Sequence, residues 1–196
     1  MDCRLGAEEL LEVLQGWNRV LRRKVHLIAC GGTAMTLMGV KPSTRDVDFM
    51  VPQLVEYSYL VNRLANLGYR PVTGSGWQRD GEPFRFDLFR GNRIHTTELL
   101  DSPLEEGRNT RLMEYSRLYI GVLNPYDLIA SKLLRGTRVD FDDCLMLVRK
   151  RRDEVDIARL VGHFHDLVIY DVAEVRLRPN IAAFIDLLRD NGLYDG

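Results

Sequence analysis

The segment CGGTAMTLMGVKPSTRDVDFMV, Cys30 to Val51, decides how this chain is read. It opens on a glycine pair, Gly31-Gly32, passes through a polar turn, KPST, and ends in an apolar run that carries two aspartates, Asp46 and Asp48. RDVDFMV has the composition of a strand. Residues two apart on a strand project from one face, so Asp46, Asp48 and Met50 share one side, and Val47, Phe49 and Val51 the other. Two carboxylates held on one face are costly unless something positive neutralises them. A hard divalent cation, Mg²⁺ or Mn²⁺, does this with oxygen ligands: one or two protein carboxylates, completed by phosphate oxygens and water.

The glycine pair fits the same chemistry. KVHLIAC (24–30) reads as a buried strand and TAMTLMG as a short helix, so Gly31-Gly32 lie where a strand turns into a helix. Backbone N–H groups at such a turn attract anions, and glycine lets a phosphate come close to the backbone. Thr33 would add a hydroxyl donor. Downstream, PFRFDLF alternates Phe84, Phe86 and Leu88 with Arg85, Asp87 and Phe89, which puts Asp87 on the polar face of another strand. As a third carboxylate it would complete a two-metal site. The competing readings are plain ones: two solvated acids at a strand end, a surface acid in a hairpin, and an ordinary glycine turn.

Working outward, residues 7–21 place Leu10, Leu11, Leu14, Trp17, Val20 and Leu21 at helical spacing, and PQLVEYSYLVNRLANLGY is a second amphipathic helix stopped by Gly68. RPVTG, WQRDG with a turn at Asp80-Gly81, RIHTTELL and RLYIGVLN read as further strands. From Asn124-Pro125, a cap and first-turn proline, the pattern turns helical: PYDLIASKLLRG, DFDDCLMLVRKRR, DEVDIARLVGHFHDLV and PNIAAFIDLLRDNGL. The expected organisation is an α+β core over 1–123, a mixed sheet flanked by helices, followed by a helical C-terminal region over 124–196 packed on it.

A strand ending in Gly-Gly, a short helix, then Asp-x-Asp on the next strand resembles the signature of the nucleotidyltransferase superfamily, the polymerase-β-like fold. LNPYDLIASKLLRGTRVDFDDCLMLV resembles the D-x-x-x-x-K and following acidic block of its AbiEii-like branch, which includes toxins of toxin–antitoxin systems. The resemblance spans roughly residues 24–150. It implies metal roles for Asp46 and Asp48, phosphate binding by Gly32 and Thr33, triphosphate contact by Lys132, and supporting positions for Asp127 and Asp143. The implied activity is Mg²⁺-dependent transfer of a nucleoside monophosphate from a nucleoside triphosphate to an acceptor hydroxyl on tRNA or protein, with an antitoxin as a partner. Asp87 would be the acid/base or third metal ligand. The alternative is the same fold without turnover, acting as a binding or regulatory module. A sugar-nucleotide glycosyltransferase also uses Asp-x-Asp but explains neither the glycine pair nor the lysine helix. Lys132 also has a plain reading, a side chain flanking an apolar helix face and snorkelling to solvent.

Composition sets the bounds. The chain has 196 residues, 45% hydrophobic and 28% charged, as in soluble globular proteins, and a net charge of −1 gives no bulk attraction to nucleic acid. Cys3, Cys30 and Cys144 have neither zinc spacing nor a disulfide pattern, so a reducing cytoplasm is the expected setting. The N-terminus lacks a signal-peptide pattern, and the longest uncharged run, 16 residues from Val25 to Val40, is short for a membrane span. Arg22-Arg23-Lys24 and Arg149 to Arg152 are basic runs at predicted helix ends, where the helix dipole favours cations. His163 and His165 diverge around a predicted helix and cannot jointly hold a metal.

Overall fold

The structure is a computed structural model that describes residues 4–171 and 173–196. Cys3 lies outside them; Cys30 and Cys144 are free thiols, both buried. The chain divides into two compact units, Met1–Thr96 with Asp101–Leu123, and Thr97–Leu100 with Asn124–Gly196.

The first unit is built on a mixed sheet. Its helices are α1 (Ala7–Val20), α2 (Gly31–Leu37) and α3 (Leu54–Asn66), and its strands are β1 (Val25–Ala29), β2 (Val47–Val51), β3 (Tyr69–Pro71), β4 (Gly76–Arg79), β5 (Phe86–Arg90) and the short β6 (Arg93–Ile94). After β7 (Thr97–Glu98), which belongs to the second unit, come β8 (Asn109–Glu114) and β9 (Leu118–Leu123). The seven-stranded order is β3-β4-β5-β2-β1-β9-β8. β1 runs antiparallel to β2 and parallel to β9, and β2 runs parallel to β5.

Because β2 is the middle strand, all five of its residues are buried, on the Asp48 face as well as the apolar face. Helix α1 buries Leu10, Leu14 and Trp17, spaced as the sequence periodicity predicts, and the Trp17 ring lies 4.4 Å from Phe86 of β5. Helix α3 buries Leu60 and Leu64, and Gly68 follows its cap in the left-handed region.

Two stretches differ from the sequence pattern. RIHTTELL gives only two-residue strands, because His95 takes φ 51 and interrupts the extended run. Strand β8 carries no clear alternation; it is an edge strand with an exposed surface and a bulge between Arg111 and Met113, which leaves no periodic signature.

The second unit contains α4 (Pro125–Arg135), α5 (Arg138–Lys150), α6 (Ile157–Val168) and α7 (Glu174–Asp190). Helix α4 packs against the other three. Asn124 caps α4, its side chain accepting from the Asp127 N–H at 3.0 Å, and Thr137 caps α5 in a capping box with Asp140. Helix α7 starts at Glu174, so Pro179 sits inside it rather than at its start as the sequence suggests. No helix among the described residues is long and apolar enough to cross a membrane.

Candidate active site

The carboxylates of the opening segment are placed by the first unit's sheet. Asp48 and Asp87 are register partners on the parallel strands β2 and β5, so their side chains leave the same face of adjacent strands, whose backbones lie about 4.8 Å apart. Both are buried, at 7% exposure each. Asp46 lies in the bend before β2, which begins at Val47, and is exposed. The strand therefore includes Asp48, while Asp46 lies just before it.

The glycine pair makes room for this arrangement. Gly31 has φ +54, and a Cβ built on it would meet the Asp48 Oδ2 at 2.4 Å. A Cβ on Gly32 would meet the Thr44 Oγ1 at 2.7 Å. Any L side chain at Gly31 would be strained in its backbone and would collide with the buried carboxylate. The pair is thus required by the packing of Asp48 and Thr44, apart from any ligand.

Thr33 is fully buried, and its hydroxyl holds the Asp-x-Asp backbone from both sides. It accepts from the Asp48 N–H at 2.8 Å and donates to the Asp46 carbonyl at 3.1 Å. Thr44 Oγ1 donates to the same carbonyl at 2.7 Å. A threonine has one hydroxyl proton, so Thr33 serves here as a positioning residue rather than as the phosphate donor expected from sequence.

Asp87 is held by two groups that sequence reasoning missed. Ser75 Oγ donates to Oδ1 at 2.9 Å, and Arg85 donates to Oδ2 through Nη2 at 3.0 Å and Nε at 3.2 Å. Arg85 sits two residues before Asp87, just ahead of β5, a signal the sequence does contain. Ser75 precedes β4, and only the β4–β5 pairing brings it close.

Among the described residues, no group of three His, Cys, Asp or Glu side chains is gathered closely enough to hold a metal ion. Of the three carboxylates expected from sequence, Asp48 and Asp87 are neighbours across β2 and β5, and Asp46 lies just before β2. The donor chemistry still suits a hard cation, since Mg²⁺ takes one or two carboxylates and completes its shell with water and substrate phosphate.

In the second unit, Lys132 is 3% exposed, and its ammonium donates to Asp143 Oδ2 at 2.7 Å and lies 3.8 Å from Asp140 Oδ1. Neither the triphosphate contact nor the snorkelling reading is what this geometry offers: the ammonium is buried and already neutralised. Asp140 is fully buried and escaped the sequence reading. Burial alone would raise its pKa, but the Arg135 guanidinium and the Thr137 hydroxyl outweigh burial and hold it below the usual carboxylate range. Asp127 Oδ1 pairs with His163 Nε2 at 2.6 Å, so His163 ties α6 to the cap of α4. Burial pushes the Cys144 thiol well up, which keeps it protonated and inert.

No protein-family model and no curated protein matches this chain. Three solved structures have a related fold trace. A Thermotoga maritima protein described provisionally as a nucleotidyltransferase is 17% identical, with a TM-score of 0.46, covering 77% of this chain and 97% of its own. JHP933 from Helicobacter pylori is 12% identical at a TM-score of 0.47, covering 95% and 94%. Another H. pylori protein, also described provisionally as a nucleotidyltransferase, is 14% identical at 0.46, covering 94% and 96%. At these values the likeness assigns neither family nor activity.

What remains is local chemistry. A buried pair of carboxylates lies side by side in the middle of a sheet, one held by an arginine and a serine, the other set against a glycine that can carry no side chain. Buried acids are rare unless paired or put to use.

Proposed function

We propose that the first unit is a nucleotidyltransferase of the polymerase-β-like kind. It would take a nucleoside triphosphate with Mg²⁺ or Mn²⁺ and pass the nucleoside monophosphate to an acceptor hydroxyl, releasing pyrophosphate. The observation that carries this reading is the in-register burial of Asp48 and Asp87 on neighbouring parallel strands. Asp46 and Asp48 would hold the metal together with phosphate oxygens of the nucleotide. When bound, the metal supplies charge neutralisation for the attacking and leaving oxygens.

The chain's own groups do the rest. Asp87, oriented by Arg85 and Ser75, accepts the proton of the acceptor hydroxyl or adds a ligand oxygen. Thr33 and Thr44 fix the backbone from which Asp46 and Asp48 project. Gly31 and Gly32 let the Asp48 carboxylate and the Thr44 hydroxyl pack against their backbone, and in this reading the backbone N–H groups of the turn bind phosphate. The proposed acceptor is a tRNA or protein hydroxyl, and the proposed setting a toxin–antitoxin system with an antitoxin partner. Lys132, Asp127 and Asp143 act in this reading as the framework of the second unit.

The test is incubation of the purified protein with each labelled nucleoside triphosphate, Mg²⁺, and total RNA or lysate. Label should pass to RNA or protein, and Asp48→Asn should abolish the transfer. Absence of transfer with all four nucleotides would refute the reading. One observation favours a second reading, a nucleotide-binding module without turnover: both oxygens of Asp87 are already engaged, by Arg85 and Ser75. It requires nucleotide binding that persists with no acceptor labelled.

A further inference from the structure

A cavity of about 340 Å³ opens in the first unit at the carboxyl end of β5. Its walls include Tyr57, Ser75 and Phe89, and its rim carries Arg90, Arg93 and His95, all three exposed. None of the described residues that line it is acidic. Its volume falls in the range of small-ligand sites. Arg90 lies three positions beyond Asp87 on the strand, about 10 Å along it, while Ser75 and Leu88 line the near end, so the cavity adjoins the carboxylate pair and extends away from it.

Two features shape its walls. His95 is the one non-glycine residue with positive φ among those described, and its ring stands edge-on to Phe89 at 4.7 Å. His95 opens the two-residue turn between the paired strands β6 and β7, where a positive φ is the ordinary conformation. Ser75 joins the cavity to the carboxylate site: its carbonyl accepts from the Leu88 N–H at 2.9 Å, and its hydroxyl donates to Asp87.

We infer that this cavity is a second nucleotide subsite. The guanidinium forks of Arg90 and Arg93 match the geometry of a phosphate group. Tyr57 and His95 present aromatic surface against which a base can stack, with the buried Phe89 ring packed against His95. The ligand is a nucleotide, either free or as one unit of an RNA strand. The inference goes beyond the proposed transfer and can be read without catalysis.

The experiment is titration calorimetry on the full chain in EDTA, which silences metal-dependent binding. The probes are adenosine 5′-monophosphate, uridine 5′-monophosphate, inorganic phosphate and a short oligoadenylate. At least one nucleotide probe should bind more tightly than inorganic phosphate. The double substitution R90E/R93E should weaken that binding by about tenfold or more, the loss of a charge-assisted contact. Tyr57→Ala should weaken nucleotide binding while leaving inorganic phosphate unchanged. Binding of the mononucleotides indicates a free nucleotide; binding of the oligoadenylate alone indicates a strand. The inference is overturned if no nucleotide probe binds, if inorganic phosphate binds equally well, or if Asp48→Asn rather than R90E/R93E removes the binding. Circular dichroism of each variant checks the fold; both arginines are exposed, so their replacement leaves the core intact.

Discussion

Replacing Gly31 by alanine tests how the Asp48 carboxylate is accommodated. Two costs add. The φ of +54 places an L residue in the left-handed region, at about 1–2 kcal/mol. The new Cβ would also meet Asp48 Oδ2 at 2.4 Å and Cγ at 3.1 Å, so the buried carboxylate must move, an overpacking cost of about 1–3 kcal/mol. Gly39 supplies the control, because it has φ +70 and a Cβ added to it would meet nothing within 4 Å. Gly39→Ala should therefore cost only the backbone share, about 1–2 kcal/mol. In an Asp48→Ala background the colliding atoms are gone and Cβ remains at an ordinary 3.4 Å, so Gly31→Ala should fall to the Gly39→Ala value. Thermal unfolding followed by circular dichroism measures all four variants, with each kcal/mol moving Tm by roughly 2–4 °C in a chain of this size. Equal effects of Gly31→Ala in the two backgrounds would refute the account of the glycine pair as space for Asp48.

Three other outcomes follow from the geometry. Thr33→Val keeps the shape but removes the hydroxyl that accepts from the Asp48 N–H and one of the two hydroxyls that donate to the Asp46 carbonyl, which should cost about 1–3 kcal/mol by urea unfolding, with Thr33→Ser recovering most of it. Lys132→Met leaves Asp143 buried beside Asp140 without its cation and should cost about 3–5 kcal/mol; adding Asp143→Leu should return much of that, and no recovery would count against the ion pair as the cause. Because the folded-state pKa of Asp140 is lowered, its stabilisation is fully present above the unfolded carboxylate value, near 3.9, and is lost as pH falls through the lower folded value. Asp140→Asn should therefore flatten the fall in Tm at acid pH, and an unchanged acid profile would contradict the role given to Arg135 and Thr137.

The elements themselves were largely legible. Leu10, Leu14 and Trp17 at helical spacing gave α1, the apolar run before the glycine pair gave β1, and Asn124-Pro125 marked the start of α4. Where local signal conflicted with context, context prevailed. Pro179 reads as a helix start, yet the preceding turn, Glu174 onward, is helical as well. His95 sits in a β-rich stretch, yet breaks it. Strand β8 lies at an edge, where solvent on its surface removes the alternation that would reveal it.

By itself, the sequence determined that carboxylates sit in apolar strands at Asp48 and Asp87, and that a glycine pair precedes the first of them, because alternation and residue type are local properties of the chain. Tertiary structure alone decided that β2 and β5 run side by side in the register that makes those two acids neighbours. It also decided that Gly31 is empty because Asp48 fills its space, that Thr33 is spent on backbone, and that Lys132 is spent on Asp143. Each of these depends on a distance between residues far apart along the chain, and spacing in sequence carries no record of such distances.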